Sequence, residues 1–193
     1  MIKQIEKDGT RIEFYFVKDP TINAFALPGG KVIIQTGLIE HAKSWEELLG
    51  VVSHELAHVT RRHHIRGVID NLGLYVIISY LIGDISALSG TLINMGGDLA
   101  SLSNSRSFET EADETGLDYL AAAGINPAGL ISFFKTLQEE SSTKIDGYLS
   151  FMSTHPATDD RIEHLNKILK NKTISFKPVP NDFNNYKQII TKL

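Results

Sequence analysis

The chain has 193 residues, 42% of them hydrophobic, and a formal net charge of −4 at pH 7. A chain of this size can bury one sizeable core, so we expect a single domain over residues 1–193, with its core at about 20–170 and a tail at about 171–193. The acidic balance leaves no basic surface for nucleic acid, and the absence of cysteine excludes a thiol nucleophile, a cysteine zinc site and a disulfide framework.

Two short strands and then a helix are predicted in the first third of the chain. Residues Lys31–Gln35 lie between turn sequences that contain glycine and read as a strand, and Asn23–Ala26 can form another beside it. Ser44 and Glu47 have the spacing of a capping box. This box predicts a helix from about Trp45 through the region of residues 61–64.

The middle of this helix contains the sequence HELAH at residues 54–58. His54 and His58 are four positions apart, so they project from one face and can chelate one small cation. Glu55 then stands beside that cation and can take a proton from a water bound to it. The pattern also arises by chance, but buried and unpaired histidine and glutamate are unfavourable, which favours a metal.

A third ligand is expected from residues 105–113, SRSFETEAD, because a catalytic zinc has three protein ligands and one open position. Glu109 and Asp113 are again four positions apart in a predicted helix. Glu109 can bind the metal while Asp113 accepts a hydrogen bond from a liganding imidazole and fixes its tautomer. The alternative is that this helix simply presents an acidic, solvated face.

Between the two motifs lies an apolar stretch at residues 71–97, interrupted by Asp84. Neither half reaches the roughly 20 residues of a membrane-spanning helix, so we do not expect a span. Three interpretations stay open: a buried helix, a lid over the site, or a surface that contacts lipid or a membrane protein.

The later chain is expected to support the site. Gly124 is a predicted C-cap, Asn126-Pro127 starts another helix, and Asp159–Leu169 reads as an amphipathic helix. His63 and His64 suggest a second metal site, but they do not share the face of His54 and His58, so a polar helix end is the favoured interpretation. His41 and His164 are expected at the surface.

Four motifs in this order resemble one family of proteins. HELAH and SRSFETEAD, with NAFALPGG upstream and STHPATDDR downstream, are similar to the gluzincin metallopeptidases related to HtpX, BepA, the mitochondrial overlapping-activity protease and the CAAX prenyl proteases, which form metallopeptidase family forty-eight. The resemblance covers roughly residues 20 to 165 and favours the soluble, BepA-like branch. It implies an α+β, mainly helical, zincin-like domain with a small sheet beside the HExxH helix.

The resemblance also implies roles for individual residues. One Zn²⁺ per chain is expected on His54, His58 and Glu109, with Glu55 as general base and Asp113 behind the ligands. His155 and Arg161 gain roles from the resemblance alone. The histidine either occupies the open position of a resting enzyme or stabilises the negative oxygen of the transition state, where Arg161 can assist. By role, the expected catalytic residues are Glu55, His155, Asp113 and Arg161, and the expected metal-binding residues are His54, His58 and Glu109.

The resemblance further implies that the strand at Lys31, Val32 and Ile33 lines the cleft and pairs with extended substrate backbone. Such pairing recognises main chain, so it favours unfolded polypeptides. The alternative is a buried structural strand.

The expected function is therefore zinc-dependent endopeptidase cleavage of unfolded or misassembled proteins in quality control. The alternative is a latent or chaperone-like zinc-binding assembly factor, closed by His155 or by residues 71–97. A polypeptide substrate is expected, with no nucleic acid and with a possible membrane contact through 71–97. The charged first residues lack the apolar centre of a signal peptide, so the expected location is the cell envelope if a leader is removed and the cytoplasm otherwise.

Overall fold

The computed structural model describes residues 11–70, 73, 106–141, 151–156, 158–171 and 175–190. Its elements in chain order are β1 (Glu13–Val17), β2 (Ala24–Leu27), β3 (Lys31–Gln35), α1 (Thr36–His41), α2 (Trp45–Thr60), α3 (Arg106–Ala123), α4 (Ala128–Ser141), α5 (Asp159–Asn171) and α6 (Phe183–Ile190). Short helical stretches also cover residues 63–70 and 151–154. The expected fold class, mainly helical with a small sheet, is confirmed.

The apolar stretch at 71–97 lies outside the described residues, apart from residue 73. The three interpretations of that stretch therefore stay open. Among the helices of the described part of the chain, none combines the length and the apolar character that crossing a bilayer requires.

The sheet has the strand order β1-β3-β2. β3 pairs in parallel with β1 and in antiparallel with β2, in the register Ala26 opposite Val32. The strand expected at Asn23–Ala26 is therefore present as β2, whereas β1 was not predicted. Because β3 has a partner on each side, Lys31, Val32 and Ile33 have no free edge on which a substrate backbone can pair. The expectation that substrate backbone pairs with residues 31–33 therefore needs correction. The edge strand nearer to helix α2 is β2.

Helix α2 is the central element, and it packs against α3, α4 and β2. It begins as the capping box predicts, because Ser44 Oγ accepts a hydrogen bond from Glu47 N at 3.3 Å. The reciprocal half of the box differs. The carboxylate of Glu47 accepts instead from Lys43 N at 2.8 Å and from Ser132 Oγ at 2.7 Å, so it ties the helix start to α4.

Helix α2 ends earlier than predicted. Its last residue is Thr60, and Arg62 has a φ of 54°, in the left-handed region that a non-glycine residue seldom adopts. A left-handed residue cannot continue a right-handed helix. The expectation of one helix through residues 61–64 is therefore wrong, and a separate helical stretch begins at residue 63.

Helix α3 lies along α2 and ends as predicted at Gly124, whose φ is 70°. The helices approach closely at Gly116, where a Cβ atom would lie 3.2 Å from His54 N. The absence of a side chain at this position brings the two motif-bearing helices together. The acidic face of α3 divides accordingly: Glu109 and Asp113 are buried, while Glu114 and Asp118 are exposed.

Helices α4 and α5 complete the core, and the tail docks on the domain surface. The largest fully buried side chains of the core include Phe133, Phe134 and Phe151. In α6, Phe183 packs edge-on to Trp45 with ring centroids 5.0 Å apart. The indole of Trp45 donates to Asp182 Oδ1 at 2.9 Å, which fixes this part of the tail to the start of α2.

We predict that Gly129→Ala destabilises the fold, because a Cβ at this residue of α4 would overlap the backbone carbonyl of Glu46 in α2. Overpacking of this kind costs about 1–3 kcal/mol, whereas Lys135→Ala on the exposed face of the same helix should change stability by less than about 0.5 kcal/mol. Urea unfolding of both variants measures the difference. Equal midpoints for the two would contradict this close approach of α4 to α2.

Candidate metal centre

Four buried side chains from three segments place one ligand atom each within 4.8 Å of one another. Helix α2 supplies His54 and His58, α3 supplies Glu109, and the segment after the 151–154 helical stretch supplies His155. The Nε2 atoms of His54 and His58 are 3.0 Å apart, and His155 Nδ1 lies 3.2 Å from His54 Nε2. Glu109 carboxylate oxygens lie 3.4 Å from each of the first two imidazoles and 3.1 Å from the third.

These distances fit a single small cation. Two donors bound to zinc at about 2.0–2.1 Å and at the tetrahedral angle are themselves about 3.3 Å apart. The separations of 3.0 to 3.4 Å in the cluster match that value. Two imidazoles with a carboxylate are also a donor set that zinc accepts well. The residues present therefore fit the metal that the sequence predicts.

Burial and close charges set the protonation of the cluster. Burial lowers the pKa of His58 to about 3, so its ring is neutral and has a lone pair to offer. Burial acts in the same direction on His54, but interactions with Asp113 and Glu109 outweigh it and raise its pKa to about 10. Burial tends to raise the pKa of Glu109, yet the surrounding imidazoles hold it far below its usual range. Glu109 is therefore a carboxylate that can act as a ligand.

Asp113 and Arg161 stand behind the cluster. Asp113 Oδ1 lies 2.9 Å from His54 Nδ1, on the side of the ring away from the other ligand atoms. Arg161 donates to both oxygens of that carboxylate, Nε at 2.7 Å and Nη2 at 2.8 Å, and its Nη1 reaches Glu109 Oε2 at 3.2 Å. The same guanidinium lies 4.7 Å from the ring centroid of Phe134. The bidentate contact from Arg161 keeps the Asp113 carboxylate ionised and oriented toward the His54 imidazole.

Glu55 lies beside the cluster. Its Oε2 accepts a hydrogen bond from Ala26 N of β2 at 2.9 Å, and its Oε1 lies 3.4 Å from His155 Nε2. Among the described residues, Oε1 has no hydrogen-bond partner although it is buried. Burial raises the pKa of this carboxyl. A base of raised pKa with one open oxygen is the arrangement that proton transfer from a water requires.

A cavity of about 190 Å³ opens on the Glu55 side of the cluster. The edge of β2 and several residues of the site line this cavity. The lining residues are Asn23, Phe25, Ala26, Glu55, His58, His64, Thr154 and His155. A larger cavity of about 430 Å³ lies on the opposite side, by Asp113 and Arg161. The smaller cavity is the one that reaches the candidate base, so its position is the better match to a reaction site.

The structure brings together seven of the ten residues singled out in the sequence, namely His54, Glu55, His58, Glu109, Asp113, His155 and Arg161. The other three, Lys31, Val32 and Ile33, do not line the cavity at Glu55. Val32 of β3 is fully buried, as expected for a structural strand.

Two further histidines lie at the site, although the sequence pattern favours a polar helix end for them. His63 is fully buried, with its Nδ1 at 3.0 Å from His58 Nδ1, and His64 lines the cavity beside Glu55. A helix that continued through both residues would place them on a different face from His58, but α2 ends at Thr60 and the chain turns at Arg62. A break at Arg62 carries no glycine or proline signal, so the sequence pattern does not reveal it.

Comparison with known proteins places this geometry in a family. The profile of Peptidase family M48 matches residues 1–169. The chain belongs to Peptidase family M48. It is 34% identical over 155 residues to the mitochondrial metalloendopeptidase OMA1 of Arabidopsis thaliana, with 80% of this chain and 31% of the relative covered. It is 30% identical over 187 residues to the beta-barrel assembly-enhancing protease of Yersinia pestis, with 89% and 36% covered.

A third relative is the OMA1 metalloendopeptidase of Schizosaccharomyces pombe, 32% identical over 160 residues, with 81% of this chain and 46% of the relative covered. The chain thus spans between about a third and a half of the length of these relatives. The M48 resemblance drawn from the four motifs is confirmed, and two of these relatives are named as metalloendopeptidases.

We predict that zinc stabilises this M48 chain and that His58→Ala abolishes the effect. A ligand at one hundred times its dissociation constant adds about 2.7 kcal/mol to the unfolding free energy, provided that it binds only the folded state. Thermal unfolding after EDTA treatment, with and without added zinc, measures the shift. His164→Ala, at an exposed histidine, should keep the full shift. An equal shift in both variants would contradict a site at His58.

Proposed function

We propose that the chain is a zinc-dependent endopeptidase in which His54, His58 and Glu109 hold one Zn²⁺ and Glu55 is the general base. The observation that carries this proposal is the convergence of four buried ligand atoms next to a buried carboxyl with an open oxygen. Family membership supports the same class of activity.

Zinc, when bound, acts as a Lewis acid that lowers the pKa of water and polarises a peptide carbonyl. The chain itself supplies proton transfer and orientation. Glu55 Oε1 takes the water proton, and Oε2 stays tied to Ala26 N, so the carboxyl keeps one orientation while it passes the proton to the leaving amine. His155 Nε2, 3.4 Å from Glu55 Oε1, is a donor group suited to a developing negative oxygen. The Arg161 guanidinium instead contacts Asp113, Glu109 and the Pro156 carbonyl, so its part is to orient the groups behind the ligands.

The outer edge of β2 is the better candidate for binding extended substrate. In the antiparallel pairing with β3, residues 23, 25 and 27 face β3, as the bond from Gln35 N to Asn23 O shows, so Ala24 and Ala26 turn their backbone groups outward. Ala26 N points at Glu55. A polypeptide lying along this edge would pass directly over the base, with recognition through main-chain groups.

Main-chain recognition favours unfolded or misassembled polypeptides as substrates. Similarity to the Yersinia pestis relative, a beta-barrel assembly-enhancing protease, supports a role in protein quality control. We therefore propose quality-control proteolysis in the cell envelope, with polypeptide as the partner and one zinc ion per chain.

The decisive prediction concerns Glu55→Gln. This change keeps the size and the hydrogen bond from Ala26 but removes the base, so cleavage of casein should fall at least about 100-fold while zinc content stays at the wild-type level. Glu163→Gln, at an exposed carboxylate, is the matched control and should retain activity. Peptide release and elemental analysis of the purified proteins give the two measurements. Full activity in Glu55→Gln would overturn the proposed mechanism.

A second candidate, a latent zinc-binding assembly factor, is favoured by one observation. His155 Nδ1 lies within the ligand cluster, 3.1 Å from Glu109 and 3.2 Å from His54 Nε2. An imidazole there would complete four protein ligands, and sites of that kind are structural. In this state the open position that catalysis needs is taken by His155.

His155→Ala separates the two candidates. If the imidazole closes the site, as its place in the cluster favours, casein cleavage should rise several-fold while zinc remains bound through the other ligands. A fall in kcat at unchanged zinc content would instead assign His155 to the transition state. Steady-state kinetics with a quenched peptide, compared with His164→Ala, measures the direction.

A further inference from the structure

The ring of His58 is held on both sides. Its Nε2 faces the metal cluster, and its Nδ1 lies 3.0 Å from Nδ1 of His63. On the far side of His63, Nε2 lies 3.3 Å from Glu111 Oε2. The same oxygen accepts from Arg66 Nη1 at 2.7 Å. A continuous chain of polar contacts therefore runs from the cluster through two imidazoles and a carboxylate to a cation near the surface.

The backbone break at Arg62 makes this contact possible. On an uninterrupted helix, residues five positions apart are rotated by about 140° and face different directions. The left-handed Arg62, with φ of 54°, turns the chain so that His63 folds back onto His58. His63 is then fully buried and stacks on Phe108, with ring centroids 4.6 Å apart and planes 7° apart.

The ring nitrogen that carries the proton in His58 and in His63 follows from the two ends of this series of contacts. For His58 Nε2 to offer a lone pair to a cation, the ring proton must sit on Nδ1. Two Nδ1 atoms at 3.0 Å share one proton, so His63 accepts there and carries its own proton on Nε2. That proton points at Glu111, which the Arg66 charge keeps ionised. Every contact has one donor and one acceptor.

The arrangement parallels the one behind His54. There a carboxylate, Asp113, contacts Nδ1 directly and is backed by Arg161. Behind His58 the carboxylate is one imidazole further out and is backed by Arg66. Each candidate metal-binding histidine thus has a carboxylate and an arginine behind it.

We propose that His63, supported by Glu111 and Arg66, is a positioning residue that fixes the tautomer of His58 and strengthens its hold on the metal. The inference rests on the proposed zinc site at His54, His58 and Glu109. Losing a hydrogen-bond partner of this kind behind a ligand typically costs 10- to 100-fold in metal affinity.

A purely structural role for His63 predicts a different result. The stack on Phe108 would be kept by another aromatic ring, so His63→Phe preserves packing but removes both ring nitrogens, the acceptor toward His58 and the donor toward Glu111. Asparagine offers a carbonyl oxygen near the position of Nδ1, so His63→Asn restores an acceptor but loses the stack. The two variants separate hydrogen bonding from packing.

The experiment measures the zinc dissociation constant of the full chain by chelator competition, together with the visible spectrum of the cobalt-substituted protein. We expect affinity to fall about 10- to 100-fold in His63→Phe, to recover in part in His63→Asn, and to fall several-fold in Glu111→Gln. The cobalt bands should shift in His63→Phe. The control is His164→Phe, at an exposed histidine paired with Glu114, which should match wild type.

Wild-type affinity and an unchanged cobalt spectrum in His63→Phe would overturn the proposal, as would equal losses in the Phe and Asn variants. If His63→Phe fails to fold, the zinc affinity of Glu111→Gln tests the proposal instead, because the Glu111 side chain is about one-third exposed and tolerates the change. Wild-type zinc affinity in Glu111→Gln would then overturn the proposal. Failure of the unmodified chain to bind zinc would refute the proposed metal site itself, which is a different outcome.

Discussion

The packing of α2 against α3 imposes the constraint on which the site depends. It removes two histidines and three carboxylates, His54, His58, Glu55, Glu109 and Asp113, from water. Each such group is strongly disfavoured in an apolar interior unless it finds a partner of opposite charge or a hydrogen bond. The close approach at Gly116 leaves no room for a side chain between the two helices. The groups must therefore satisfy one another, and a cation completes the balance.

Charge alternates outward from this buried centre. Histidine nitrogens meet the carboxylates Glu109 and Asp113, and Arg161 closes that side while Arg66 closes the other through Glu111. Alternation of this kind lets low dielectric strengthen each contact instead of penalising it. It also couples the metal site to α5, because Arg161 contacts the backbone of Pro156, the residue that follows His155. Arg161 thus connects helix α5 to the segment that contains His155 and Pro156.

Local periodicity explains which features the sequence could predict. The pairs His54 with His58 and Glu109 with Asp113 follow from helix geometry over four residues, and Ser44 and Gly124 are caps with clear sequence signals. Features that depend on tertiary contacts or on an unusual backbone conformation could not be predicted from local periodicity. The position of β3 between two strands depends on β1, and the role of His63 depends on a left-handed arginine. Only the family resemblance indicates His155 and Arg161, because their spacing alone gives no metal signal.

The long sequence separation within the cluster has a consequence for biogenesis. His54 and His155 lie 101 residues apart, and Arg161 comes from a helix later still. Contacts of such separation form late, after the intervening loop entropy has been overcome. During synthesis, α2 and its HELAH sequence leave the ribosome well before these partners exist. A nascent chain therefore carries no finished centre until the segments that contain His155 and Arg161 have been synthesised.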